Sequence, residues 1–314
     1  MNLKEKKTLE TFKILISQTP SDYKLRREYA DALLEENLLI EALEQYKLLL
    51  KIFPQNADLH FNVGIVYEKQ KLFNNAKTAY QKAISLAPDE PDYHYNLAFI
   101  YEQEQNLKEA INEYKITLSL DLEDSNTHFC LGCIYSKQNM IDLAIYHLEQ
   151  TIKYNPKDAF AYFNLAFEYK KLKELDKAID GYQKALAINP DYSWAYYNLA
   201  CLYYEKGDVK ESLTCLNKTV ELNPKDIAAY KTYYSILVYL KEYDKALDII
   251  ESAIMQSPDN GDLHFAMARV FSLTNEYEDA LFHIEKAEKN KDSLTVSQTE
   301  FISEKNKIKS YIKL

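Results

Sequence analysis

Glycine is scarce, with five in 314 residues, and tryptophan occurs once. So little glycine leaves a chain that is folded and poor in flexible linkers. Four cysteines (Cys130, Cys133, Cys201, Cys215) in so long a chain do not make a disulfide framework. No apolar stretch approaches the ~20 residues of a membrane span. The start, Met1-Asn2-Leu3-Lys4-Glu5-Lys6-Lys7, has no run behind it long enough for a signal peptide, so a cytoplasmic location is expected. Positive charge is also short: 38 Lys and Arg face 48 Asp and Glu, for a formal charge of -10. That balance argues against nucleic acid, whose phosphates would require a basic stripe. The charge is uneven, with seven Lys against four acids in residues 286–314 and four Lys against three acids in residues 1–22. The middle is therefore acidic, as solvated surface or as a preference for basic partners. No phosphate loop, nucleophile elbow, zinc-protease helix or calcium loop occurs, so no active site, cofactor or metal is expected.

What the chain does have is a period. Pro20, Pro54, Pro88, Pro156, Pro190, Pro224 and Pro258 are separated by 34 residues or a multiple of it; Leu122 fills the vacant slot and Pro91 stands outside the series. Such a period marks a stacked array of similar units. In register the units run 23–56, 57–90, 91–124, 125–158, 159–192, 193–226, 227–260 and 261–294. Each reads as two amphipathic helices. In the fifth, residues 159–171 and 176–188 are helical, and Tyr162, Leu165, Ala166 and Tyr169 form the buried stripe of the first helix. The proline then ends the second helix.

Small residues recur at two places. The eighth holds Ala30, Gly64, Ala98, Gly132, Ala166, Ala200, Tyr234 and Ala268; the twentieth holds Ala42, Ala76, Ala110, Ala144, Ala178, Ser212, Ala246 and Ala280. Small side chains at both let the two helices approach closely. Tyrosines interleave, among them Tyr67, Tyr101 and Tyr135 in first helices and Tyr46, Tyr80, Tyr114 and Tyr182 in second helices.

This small–large code at 34 residues resembles the tetratricopeptide repeat family over residues 23–294. The resemblance implies an all-α fold, a right-handed α-solenoid of eight tandem helix-turn-helix repeats with capping helices at 1–22 and 295–314. Tyr234 breaks the code, so its junction is expected to pack differently. Thr8, Phe12 and Leu15 fit the N-terminal cap, and Phe301, Ile308 and Ile312 fall on one face of the C-terminal cap.

In the family, first helices line a concave groove. At roughly 100° per residue, places two, five, six, nine, twelve and thirteen point away from the buried stripe. The fifth reads Phe61, Tyr95, Phe129, Phe163, Tyr197, Lys231 and Phe265 from the second unit on, which packing between successive first helices accounts for. The ninth reads Ile65, Phe99, Cys133, Phe167, Cys201, Ser235 and Arg269, and its apolar members leave a patch for something to fill. The sixth holds Asn62, Asn96, Asn164 and Asn198, similar to the asparagine ladder of O-linked N-acetylglucosamine transferase repeats. Each amide offers a donor and an acceptor to a peptide main chain, or bonds within its own unit. Phe160, Phe163, Phe167, Trp194, Tyr197 and Tyr204 concentrate aromatic surface around Asn164 and Asn198. The family's carboxylate clamp needs Lys and Arg at groove places where this chain has Asp58, Asn62, Asp92 and Asn96. Cys130-Leu131-Gly132-Cys133 falls inside a helix, where apolar packing accounts for it. His60, His94, His128 and His264 share the fourth place and are expected to be interior.

The sequence thus points to a non-catalytic protein-interaction scaffold that holds an extended peptide or helix of a partner, basic or apolar in character. A targeting subunit of an enzyme complex, such as a glycosyltransferase or peptidase, and a self-assembling homo-oligomer are the alternatives.

Overall fold

The computed structural model describes residues 8–312. Residues 1–7, which open the expected N-terminal cap, and the last two residues of the C-terminal cap lie outside the described residues. Every regular element among the described residues is helical. The chain divides into two compact units, 1–156 and 157–314.

The 1–156 unit runs α1 (Leu9–Gln18), α2 (Tyr23–Glu35), α3 (Leu39–Ile52), α4 (Ala57–Lys69), α5 (Phe73–Leu86), α6 (Pro91–Gln103), α7 (Leu107–Leu120), α8 (Ser125–Lys137) and α9 (Ile141–Tyr154). The 157–314 unit runs α10 (Ala159–Lys171), α11 (Leu175–Ile188), α12 (Ser193–Lys206), α13 (Val209–Leu222), α14 (Ile227–Tyr239), α15 (Tyr243–Gln256), α16 (Gly261–Thr274) and α17 (Tyr277–Lys289). A short 3-10 helix (Lys291–Ser293) and α18 (Gln298–Ile312) close it.

The last residue of a repeat starts the next. Asp22, Asn56, Asp124, Asp158, Asp226 and Asn260 accept from backbone N–H groups of the first turn that follows, such as Leu25 at 2.9 Å and Ala161 at 3.0 Å. Glu90 makes no such bond, and there Pro91 opens α6. It needs no hydrogen-bond partner at that position, and its fixed φ suits the first turn. That is the role of the one proline outside the series. Between paired helices the chain turns through one residue in the left-handed region: Asn37, Lys71, Gln105, Asn139, Lys173, Gly207, Lys241 and Asn275. The following N–H reaches back to close the first helix, as Glu174 does to the Tyr169 carbonyl at 3.0 Å.

The helices of a pair meet at the small residues, which are buried at the eighth and twentieth places throughout except at Tyr234. A methyl group added at Gly64 would run into the Tyr80 ring. Ser212 spends its hydroxyl on the Ala200 carbonyl at 2.8 Å, so the polar substitute is satisfied inside the core. Tyr234 is instead half-buried and lines a cavity of about 460 Å³ with Val238, Phe265 and Val270. At the ends, Phe12 packs on Tyr29, and Phe301 and Ile308 of α18 are buried against the last repeat. Ile312 is not: it is 39% exposed and does not share in covering the repeat.

Candidate functional site

In the 1–156 unit, carboxylates on the first helices take up buried tyrosine hydroxyls. Asp31 accepts from Tyr46 at 2.7 Å, Glu68 from Tyr80 at 2.6 Å and Glu102 from Tyr114 at 3.2 Å. Burial raises the Glu68 carboxyl above its ordinary range, against the lowering pull of the Tyr80 hydroxyl and the Lys69 charge. Asp58 accepts from the Tyr93 hydroxyl at 2.7 Å and from Arg27 at 2.9 Å, and these donors hold it below the usual carboxylate range. Asn62 donates to Asp31 at 3.3 Å, whereas Asn96 bonds back along its own helix to the Asp92 carbonyl at 2.8 Å.

In the 157–314 unit, the first helices carry rings that stay in solvent. Phe160 is 55% exposed, Phe167 38%, Trp194 56% and Tyr204 41%. All four are large apolar or amphipathic groups, which ordinarily gain by leaving water. Lys170 Nζ donates to Asn198 Oδ1 at 3.3 Å, tying α10 to α12 on this face. Lys171 stands 4.8 Å from the Phe167 ring centroid and pairs with the buried Glu168 at 2.8 Å. The other two predicted rings are used differently. Phe163 is half-buried between Tyr182 and Tyr192, with centroids at 5.3 and 4.8 Å. Tyr197 is half-buried, with its hydroxyl 3.3 Å from Thr232 Oγ1. At place five, Phe163 therefore packs inside its own repeat and Tyr197 reaches the next one, and places two, nine and twelve supply the exposed rings.

The asparagines of this face each spend one N–H within their own helix. Asn164 donates to the Phe160 carbonyl at 2.8 Å and Asn198 to the Trp194 carbonyl at 2.9 Å. An amide has two donors and a carbonyl, so each keeps capacity for a ligand.

The condition of one tyrosine named from the sequence, Tyr182 on α11 behind this face, was not anticipated. Tyr182, at the place of Tyr46, Tyr80 and Tyr114, is as fully buried as they are, yet its hydroxyl has no hydrogen-bond partner. Burial first, then Cys201, Tyr192 and Glu168, push its ionisation well above the ordinary tyrosine range. The signal was legible: the repeat containing Tyr182 has Lys170 at the twelfth place, where two earlier repeats have Glu68 and Glu102.

The fourth-place histidines are tied down. His60, His94, His128 and His264 each place Nε2 within 2.9–3.2 Å of the carbonyl six residues earlier, belonging to Pro54, Pro88, Leu122 and Pro258. Three are buried, and His60 is only half so. Their Nδ1 atoms find Glu113, His147 and His283. Those partners lie 19 residues downstream in each case, a spacing that the sequence carried. The four cysteines are free, and burial raises the Cys130 thiol, the opposite of a reactive thiolate. Among the described residues no group of three or more His, Cys, Asp or Glu is placed to hold a metal ion, and no helix is long and apolar enough to cross a membrane.

Comparison with known proteins follows the same lines. Family models described as TPR repeat or tetratricopeptide repeat match residues 73–105 and 168–207, 91–123, 147–180, 193–226 and 237–293. No curated protein matches. Among solved structures, the C-terminal part of a TPR repeat-containing protein from Cytophaga hutchinsonii is similar at 18% identity and a TM-score of 0.67, covering 77% of this chain and 99% of its own. YrrB, described as a TPR protein with an unusual peptide-binding site, aligns at 20% identity and a TM-score of 0.53 over 60% of this chain and 96% of its own. MamA aligns at 26% identity and a TM-score of 0.50 over 54% of this chain and 92% of its own.

Proposed function

Because the chain belongs to the tetratricopeptide-repeat proteins, we propose that it is a non-catalytic interaction module whose α10–α12 face holds an extended segment of another protein. The observation that carries this reading is the exposure of Phe160, Phe167, Trp194 and Tyr204 on one face. Four such rings are a costly surface to leave in water and a strong one to cover. The half-satisfied amides of Asn164 and Asn198 lie beside them and can meet a peptide main chain. Rings of this kind supply affinity, and the amides set the direction in which the segment runs.

The chain offers its own reporter. Trp194 is the single tryptophan and is more than half exposed. Peptides selected from a displayed random library against the full chain should shift its emission to shorter wavelength as the indole leaves water. Selected peptides that leave Trp194 emission unchanged, and that bind Trp194→Ala as well as the parent, would place the binding surface elsewhere.

A further inference from the structure

We propose that the α10–α12 face takes an aspartate or glutamate side chain of the bound segment, received by the Lys170 ammonium and the Tyr182 hydroxyl. This rests on the peptide-binding reading and names what the peptide must carry.

The argument comes from comparing repeats. Tyr46, Tyr80 and Tyr114 each give their hydroxyl proton to a carboxylate supplied by the first helix of their own repeat, namely Asp31, Glu68 and Glu102. Those acids stand at the ninth or twelfth place. In the repeat of Tyr182 the same two places hold Phe167 and Lys170, so both acceptors are gone while the buried donor remains. Glu168, the acid that acts on the Tyr182 hydroxyl electrostatically, is engaged by Lys171 at 2.8 Å and makes no bond to it. Lys170 bonds to the neutral oxygen of Asn198, and no carboxylate among the described residues pairs with it. A buried polar group without a partner is rare and calls for one. Here a cation stands at the place of the missing acid, and a carboxylate brought from outside would restore the arrangement of the second and third repeats with an added ion pair.

The surroundings favour such a ligand. The acids nearest along the same helices are spent: Glu205 pairs with Lys173 at 3.3 Å. Phe160, Phe167, Trp194 and Tyr204 would flank the acid, so apolar residues should stand on either side of it in the partner. The charge is opposite to what the acidic body of the chain implies for partners in general.

The test uses the full chain and a phage-displayed random peptide library. Selected peptides should share an Asp or Glu with apolar neighbours. One of them, followed by Trp194 emission, should bind about tenfold more tightly than its Glu→Gln or Asp→Asn analogue. Lys170→Glu rebuilds the pairing of the second and third repeats; it should keep or raise the thermal midpoint while abolishing the preference for the acid. Tyr182→Phe should leave the fold intact and reduce the preference. Selection without acidic enrichment, or Lys170→Glu binding the acidic peptide as tightly as the parent, would overturn the proposal. Peptides that depend on Trp194 but ignore the acid sink this inference alone, whereas a library from which nothing is retained sinks the peptide-binding reading with it.

Discussion

His128 and His147 face each other inside the 1–156 unit with their Nδ1 atoms 3.0 Å apart, and His264 and His283 repeat the arrangement at 3.0 Å in the other unit. Each first member places Nε2 against a backbone carbonyl, which fixes the proton there in the neutral ring and leaves Nδ1 to accept. The second member must then donate, so each pair is built from two neutral rings. Burial, then the charge of the facing His128 and that of Lys115, hold the His147 pKa down to about 4; burial, then His264 and Lys286, do the same for His283. His128 is lowered by burial against the opposing pull of the Leu122 carbonyl and Asp124.

Unfolded, His147 and His283 titrate near 6.5, above their folded values, so the unfolded chain binds more protons in between. Stability from the pairs is therefore complete above about pH 6.5 and is lost as pH falls toward about 4. The expected loss for His147 between about pH 7 and about pH 4.5 is about 2 kcal/mol. Urea midpoints at both pH values, for the parent and for His147→Phe, isolate this from the carboxylates that titrate in the same range. The variant should lose less stability on acidification; an equal loss would show that the pair is not what titrates.

Close approach of paired helices gives a second expectation, with two glycines that differ in what they face. A Cβ at Gly64 meets the ring of Tyr80, which is fully buried and has nowhere to turn. A Cβ at Gly132 meets Leu148 Cγ at 2.9 Å, a milder overlap than the one at Tyr80, although Leu148 is just as buried. Gly64→Ala should cost about 1–3 kcal/mol through overpacking, and Gly132→Ala less. Thermal unfolding of the two variants side by side measures the difference, and equal midpoints would contradict it.

The turns give a third. Lys71, Lys173 and Lys241 adopt φ near 60°, where a Cβ is strained, while Gly207 holds the same place at 87° with open space around it. Replacing Lys173 by Gly should stabilise by about 0.5–1 kcal/mol, strain relief exceeding the added chain entropy. Gly207→Ala should destabilise by about 1 kcal/mol for the same reason with the sign reversed. Denaturant titration of both variants checks the pair.

Much of the fold was written in periods. The prolines, the small residues at places eight and twenty and the Asp or Asn before six of the first helices repeat along the sequence, and each does locally what its spacing implies. At place five rings recur in most units, with Lys231 as an exception, and there Phe163 and Tyr197 are taken up by packing. The site was less legible. Whether an asparagine faces a ligand or its own helix depends on a rotamer, and Asn96, Asn164 and Asn198 all bond to the carbonyl four residues back. The condition of Tyr182 depends on Lys170, a residue on another helix, and no single position shows it. Ile312 shares the apolar face of the last helix but lies beyond the surface that Phe301 and Ile308 cover.

The strengths of the two kinds of group on the α10–α12 face decide what alanine scanning should find. Covering one aromatic ring contributes about 1.5–3 kcal/mol, and a neutral hydrogen bond nets about 0.5–1.5 kcal/mol. Asn164 and Asn198 enter with one donor already used, which places them at the lower end. For a selected peptide, Trp194→Ala and Phe167→Ala should each weaken binding by about tenfold or more, and Asn164→Ala by severalfold at most. Phe163→Ala should behave differently from both, since its ring is wedged between Tyr182 and Tyr192. It should lower the unfolding midpoint along with affinity, because a buried ring is lost from the core. Isothermal titration together with a melting curve for each variant separates the two classes. A scan in which Asn164→Ala costs more than Trp194→Ala would reverse the assignment of affinity to the rings.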